Sequence, residues 1–149
     1  MSAREPDTTV TEGKNGEADV VALSIPAKAE YVVLCRLALA GLARLRRLEE
    51  DALADLKLAI TEACSNSIRH AYGDRNGGTV DVRYELAGDR LAVEVRDEGP
   101  GFEPPSTHLQ PGEIDEGGLG LAIIRALVDE LDFAADATGS RLRFTKYLV

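Results

Sequence analysis

A carboxylate, a carboxamide and a guanidinium recur along one stretch of the chain at a spacing that could do chemistry. Within Glu62-Ala63-Cys64-Ser65-Asn66-Ser67-Ile68-Arg69-His70-Ala71, a helical rotation of about 100° per residue puts Glu62, Asn66, Arg69 and Gly73 in one narrow stripe. Leu53, Leu56, Ile60, Ala63, Cys64, Ile68 and Ala71 take the opposite side. The stripe offers a proton acceptor, an oxygen ligand for a hard cation such as Mg2+, and a partner for a phosphate. On spacing alone a solvated helix face describes the same residues. What sets the stripe apart is Asn66, because a side-chain amide competes with the backbone and is a poor mid-helix choice without a reason to be there.

Two glycine-bearing segments add to it. Asp97-Glu98-Gly99-Pro100-Gly101-Phe102 follows an alternating, strand-like run. Its glycines would let the backbone approach a flat ligand, and an Asp at a strand end can accept from an exocyclic amine such as that of adenine. A plain Gly/Pro turn with a capping Asp is the other reading. Gly117-Gly118-Leu119-Gly120-Leu121 leads into a helical pattern. Small residues at a helix N-terminus expose backbone N–H groups and a favourable dipole to a phosphate, a cradle without a lysine. A hinge would use the same residues. Together the three segments make one coherent site: base and cation ligand on one helix, base-edge acceptor on a strand, phosphate donors on a second helix.

The elements that must position these groups follow from period and punctuation. Met1 to Asp19 carries Arg4 and Lys14 against Glu5, Asp7, Glu12, Glu17 and Asp19, a polar stretch expected to be a flexible acidic tail, residues 1–19, before a single domain at 20–149. Val20 to Ile25 reads as a strand, and Pro26 is placed to open a helix running through Tyr31, Leu34, Leu37, Leu42 and Leu45. A second helix begins at the acidic Glu49-Glu50-Asp51, as the positive end of a helix dipole favours, and runs to about Tyr72. Thr79 to Leu86 and Arg90 to Asp97 alternate as a hairpin. Glu98 to Gly117 has four prolines and no period, the mark of a functional loop or lid. Gly118 to Leu131 is helical, and Asp132 to Ala137 with Arg141 to Leu148 forms a second hairpin. Helices adjoin helices and strands adjoin strands, which favours an α/β (α+β) two-layer sandwich over a doubly wound parallel sheet.

Composition narrows the function. The chain has 149 residues with 17 Lys+Arg and 26 Asp+Glu, a net charge of −9. At this size roughly two-thirds of the unfolded surface is buried on folding, so one domain with a full core is expected. An acidic chain with 5% aromatic residues and no Trp is a poor match for a phosphate backbone or for stacked single strands, so no direct nucleic-acid ligand is expected. No apolar run approaches the roughly 20 residues that span a bilayer, and the N-terminus lacks a signal-peptide core, so the expectation is a cytoplasmic protein with no membrane contact. Cys35 and Cys64 sit in apolar helical patterns without metal-ligand spacing and read as buried free thiols. No G-x-x-x-x-G-K-[ST] loop and no dinucleotide glycine fingerprint occurs.

In this order and spacing, the three segments resemble the N, G1 and G2 boxes of the GHKL (Bergerat) ATPases, which include DNA gyrase B, MutL and the histidine kinases. Within that group the chain is most similar to the anti-sigma-factor serine kinases of the RsbW and SpoIIAB type. Ile25-Pro26-Ala27-Lys28-Ala29-Glu30-Tyr31-Val32, Asp55 through Asn66 to His70-Ala71-Tyr72, Glu116-Gly117-Gly118-Leu119-Gly120-Leu121 and Thr145-Lys146-Tyr147-Leu148 carry the likeness. It implies a mixed, mostly antiparallel sheet covered on one face by helices. It also implies ATP and Mg2+ as cofactors. Glu62 would be the general base, Asn66 the Mg2+ ligand, Asp97 the adenine reader with Gly99 and Gly101 shaping that wall, and Gly118, Leu119 and Gly120 the phosphate-holding backbone. Ser140 would stand where many relatives carry Thr, and Arg69 and His70 are further candidates near the phosphates. The implied activity is dual: sequestering a sigma factor, and phosphorylating a serine of its anti-anti-sigma antagonist, as a homodimer. A nucleotide-gated binding module without turnover and a switch kinase that never touches a sigma factor remain alternatives.

Overall fold

The structure, a computed structural model, describes residues 9–11, 19–69, 77–98 and 116–148. Strands β1 (Thr9–Thr11), β2 (Asp19–Pro26), β3 (Thr79–Ala87), β4 (Arg90–Asp97), β5 (Glu130–Asp136) and β6 (Gly139–Tyr147) form one sheet in the order β1-β2-β3-β4-β6-β5. Helices α1 (Val32–Arg46), α2 (Glu50–Ser67) and α3 (Glu116–Leu127) complete the described elements. Every strand pairing is antiparallel, the extreme of the mostly antiparallel sheet expected.

Alternation along the strands fixes which face is covered. Val80, Val82, Tyr84 and Leu86 on β3 pair with Asp97, Val95, Val93 and Leu91 on β4, and all eight side chains are buried. They meet Leu39 and Cys35 of α1, Leu56 and Ile60 of α2 and Ile124 of α3 in one core. Tyr84 is the largest fully buried side chain. Its hydroxyl donates to the Cys35 carbonyl oxygen at 2.7 Å, tying the sheet to α1 and satisfying a polar group that would otherwise be stranded. The opposite face of the sheet carries charge instead: Arg83, Glu94, Arg143 and Asp132 lie in one cross-strand row. Glu94 lies 3.5–3.6 Å from Arg96, Arg141 and Arg143, while Arg143 bonds Glu85 at 2.9 Å and holds that carboxyl below the usual carboxylate range.

The structure departs from the sequence expectation in several places. Thr9–Thr11, inside the stretch expected to be a flexible tail, pairs with Ala22, Val21 and Val20 as the edge strand, because β2 leaves that edge open for backbone partners. Pro26 does not open a helix; it ends β2 opposite Thr79, and a 3-10 turn at Ala29–Tyr31 leads into α1. Helix α1 buries Val32, Cys35, Leu39, Leu42 and Ala43. Of the residues whose spacing suggested its core face, Leu42 alone is buried, and Tyr31, Leu34, Leu37 (60% exposed) and Leu45 (78% exposed) form a second, exposed apolar stripe. Helix α3 ends at Leu127 rather than Leu131, because the Asp129 N–H bonds the Thr145 carbonyl at 2.9 Å and brings the chain into the sheet.

Tyr84→Phe removes one neutral buried hydrogen bond without opening a cavity. It should lower unfolding stability by about 1 kcal/mol, read by urea denaturation. Glu85→Gln should lower stability at neutral pH and remove part of the loss on acidification, read by denaturant titrations at several pH values. A carboxyl whose pKa is depressed by folding stabilises above its unfolded pKa, and that contribution disappears as pH falls through the carboxylate range.

Candidate functional site

Helix α2 brings the polar stripe against α3 and the sheet rather than into open solvent. Glu62 is half-buried and Asn66 is buried, with 4% of its surface exposed. The helix continues through Ile68 and Arg69 in a wider, π-type turn, a distortion often found at functional sites. Arg69 is exposed, and its Nη2 donates to Asn66 Oδ1 at 3.3 Å.

Gly118, Leu119 and Gly120 lie within the first turns of α3 itself, not ahead of it. A helix's first turn holds N–H groups with no acceptor inside the helix, so Gly118 lies at the donor end of the dipole and Leu119 and Gly120 follow directly after it. Gly120 lies against α2. A Cβ built there would meet Glu62 Oε1 at 3.3 Å and Asn66 Oδ1 at 3.5 Å, so the absent side chain lets an acidic oxygen and an amide oxygen converge on the positive end of α3. Leu119, 53% exposed, points away from that contact.

The third part of the cluster is at the ends of β4 and β6. Asp97, Ser67 and Ser140 are all buried. Ser67 Oγ and Ser140 Oγ both donate to Asp97 Oδ2, the latter at 2.6 Å. Two hydroxyls therefore hold one oxygen of the carboxylate in a fixed orientation. Gly139 makes this packing possible: a Cβ there would fall 2.1 Å from the Asp97 carbonyl oxygen. Asp97 and Ser140 are cross-strand partners in the sheet register.

The structure thus brings together Glu62, Asn66, Arg69 and Gly120 at one junction, with Asp97 and Ser140 joined to the same helix through Ser67. His70, Gly99 and Gly101 lie outside the described residues. Ser67 was missed in the sequence. Its signal was available, since a serine inside a helix one residue beyond Asn66 faces about 100° round from it, toward the sheet, where a hydroxyl needs an acceptor. An open concavity of about 860 Å3 lies on the charged face of the sheet, lined by Asp81, Arg83, Glu94, Arg96 and Arg141 and reaching Asp97 and Ser140; Glu62 and Asn66 are not among its lining residues. Among the described residues no group of three or more His, Cys, Asp or Glu could hold a metal ion. A hard cation at this site would instead draw on oxygens of the Asn66 type, and the convergence of Asn66 Oδ1 with Glu62 Oε1 beside Gly120 fits Mg2+ in donor chemistry.

The comparisons with known proteins identify the family and the fold. The model of the histidine kinase-like ATPase domain matches residues 25–146. The serine-protein kinase RsbW of Bacillus velezensis is 38% identical over 139 residues, covering 87% of this chain and 86% of the relative. RsbW of Listeria innocua is 37% identical, over 87% of this chain and 88% of its own. Among solved structures, one of the RsbU and RsbW domains of a Mycobacterium tuberculosis protein aligns with a TM-score of 0.65 at 21% identity, over 87% of this chain and 32% of that one. The histidine kinase domain of an Erythrobacter litoralis blue-light activated kinase aligns at 0.54 and 24% identity, over 83% and 62%. These two support the fold.

Gly139→Ala places a methyl group on the Asp97 backbone and should destabilise the domain by about 2 kcal/mol or more, read as a lowered denaturation midpoint. Gly120→Ala is expected to differ in sign. Alanine is favoured over glycine in a helix by about 1 kcal/mol, and the atoms it meets end flexible side chains, so the midpoint should stay level or rise while Glu62 is displaced.

Proposed function

The chain belongs to the histidine kinase-like ATPase family, as one of its RsbW serine-protein kinases, and from that membership we propose that it transfers the γ-phosphoryl group of ATP to a serine of a small antagonist protein and otherwise holds a sigma factor. The observation that carries this reading is the junction at Gly120, where a carboxylate and a carboxamide oxygen meet the N-terminal turn of α3.

The roles follow from the chemistry of each group. Asp97, with Oδ2 held by Ser67 and Ser140, orients a carboxylate to accept from the adenine amino group. The Gly118 to Gly120 backbone is the candidate phosphate cradle, at the end of α3 where the helix dipole favours an anion. Asn66 would hold Mg2+, which when bound neutralises phosphate charge. Glu62 accepts the proton of the substrate serine as its oxygen attacks the γ-phosphorus; the bond from that phosphorus to the bridging β,γ-oxygen breaks and ADP leaves. Arg69 stands beside Asn66 as a further phosphate partner, with His70, Gly99 and Gly101 retained as candidates from the sequence.

A kinase that positions its substrate by helix-end dipoles and a metal ion needs few basic side chains at the site, which suits a chain with net charge −9. The exposed apolar stripe of α1 is the kind of surface a protein partner covers. Assembly as a homodimer belongs to the same reading. Among the described residues no helix is long and apolar enough to cross a membrane.

The test is incubation with labelled ATP, Mg2+ and candidate antagonist proteins from the same cell. Phosphoserine on one antagonist is expected, and nucleotide binding with no transfer to any of them would replace the kinase by a nucleotide-gated binding module. Glu62→Ala should lower transfer by about 100-fold or more while ATP still binds. Asp97→Asn should weaken ATP binding in a calorimetric titration. Retention of a sigma factor on the immobilised protein separates an anti-sigma factor from a switch kinase that acts on the antagonist alone.

A further inference from the structure

Two thiols face each other between α1 and α2, outside the site assigned above. Cys35 and Cys64 are fully buried and free. The Cys64 thiol donates to Cys35 Sγ across 3.9 Å, and the Tyr84 hydroxyl fixes the Cys35 backbone from the sheet side. Cys35 is the accepting sulfur of that contact and is the one favoured as nucleophile, and Cys64 stands next to it as a resolving thiol.

We propose that Cys35 and Cys64 form a dithiol modification site, which a peroxide-class oxidant converts into an intramolecular disulfide tying α1 to α2. The Cys35 thiolate attacks one peroxide oxygen, the O–O bond breaks, and the departing hydroxide takes up a proton as water, leaving a sulfenic acid. The Cys64 sulfur then attacks the sulfenic sulfur, and the hydroxyl leaves with the Cys64 proton as a second water. Two thiols lose two electrons and the peroxide gains them. Bond formation brings the sulfurs closer by about 1.9 Å, from 3.9 Å to the length of a disulfide. Burial makes the reaction slower than at a surface thiol, because opening of the α1–α2 contact must admit the oxidant.

The consequence reaches the site through α2. Cys64 lies between Glu62 and Asn66 in sequence, and the side-chain oxygens of those two residues lie against Gly120. Drawing Cys64 toward α1 shifts the helix that presents both oxygens, and a displacement of that kind should lower phosphoryl transfer by about tenfold or more. This last step rests on the kinase reading; the formation of the bond does not.

The test treats the full-length chain with hydrogen peroxide and follows intact mass and transfer to the antagonist in parallel. A mass loss of about 2 Da, reversed by dithiothreitol and absent from Cys35→Ala and Cys64→Ala, is expected, with a cross-linked peptide joining α1 to α2. Unchanged mass, oxygen addition without a cross-link, or dimers joined between chains would overturn the proposal. If the disulfide forms and transfer is unaltered, the link to the site is overturned. If the reduced protein shows no transfer at all, the kinase reading fails and the mass result still decides the thiol pair.

Discussion

The near-contact between α2 and the first turns of α3 governs everything the candidate site can do. It exists because residue 120 has no side chain: the oxygens of Glu62 and Asn66 occupy the space a Cβ would crowd. Close approach of a carboxylate to the N-terminal end of a helix is favourable in itself, since the unpaired N–H groups there carry partial positive charge. The same two helices are joined at their other ends by Lys146, whose Nζ donates to Asp55 Oδ2 at 3.1 Å on α2 and to the Leu127 carbonyl at 2.8 Å on α3. The lysine satisfies an orphan carbonyl at the end of α3 and sets how far the helices splay. Both halves of the site are thereby referred to β6, which also carries Ser140.

The sheet contributes a second constraint. Antiparallel register places Ser140 opposite Asp97, and the glycine beside Ser140 lets the chain pass directly over the Asp97 carbonyl. A carboxylate in that position would be costly to bury unless its lone pairs were used; Ser67 and Ser140 both donate to Oδ2. Asp97 therefore belongs at once to the sheet, to α2 through Ser67, and to the ligand-reading role proposed for it. Charge is managed separately on the outer face, where Glu94 and Glu85 sit among Arg96, Arg141 and Arg143 and leave the net negative chain with a locally balanced surface.

Much of this was readable beforehand, for identifiable reasons. The strand pattern of β3 alternates and is followed by a Gly-Asp turn, so the hairpin with β4 and the buried face of β3 followed from it. The stripe of Glu62 and Asn66 followed from helical rotation. Helix α1 was harder, because it is apolar on two sides: a periodic pattern identifies a helix but does not choose between two apolar stripes, and the stripe holding Leu34 and Leu37 proved to be the exposed one. Burial of Asn66 could not be read either, since polar residues default to solvent and only an opposing helix overturns that default.

The sequence by itself determined the order of elements, the family and the residue types that meet ATP chemistry, because hydrophobic period, turn residues and motif spacing are properties of neighbours along the chain. Tertiary structure alone decided that Thr9–Thr11 closes the edge of the sheet, that Ser67 joins Ser140 on Asp97, that Gly120 lies against Glu62, and that Cys35 meets Cys64. Each of these brings together groups that are remote in sequence, and their pairing is set by how helices pack on a sheet.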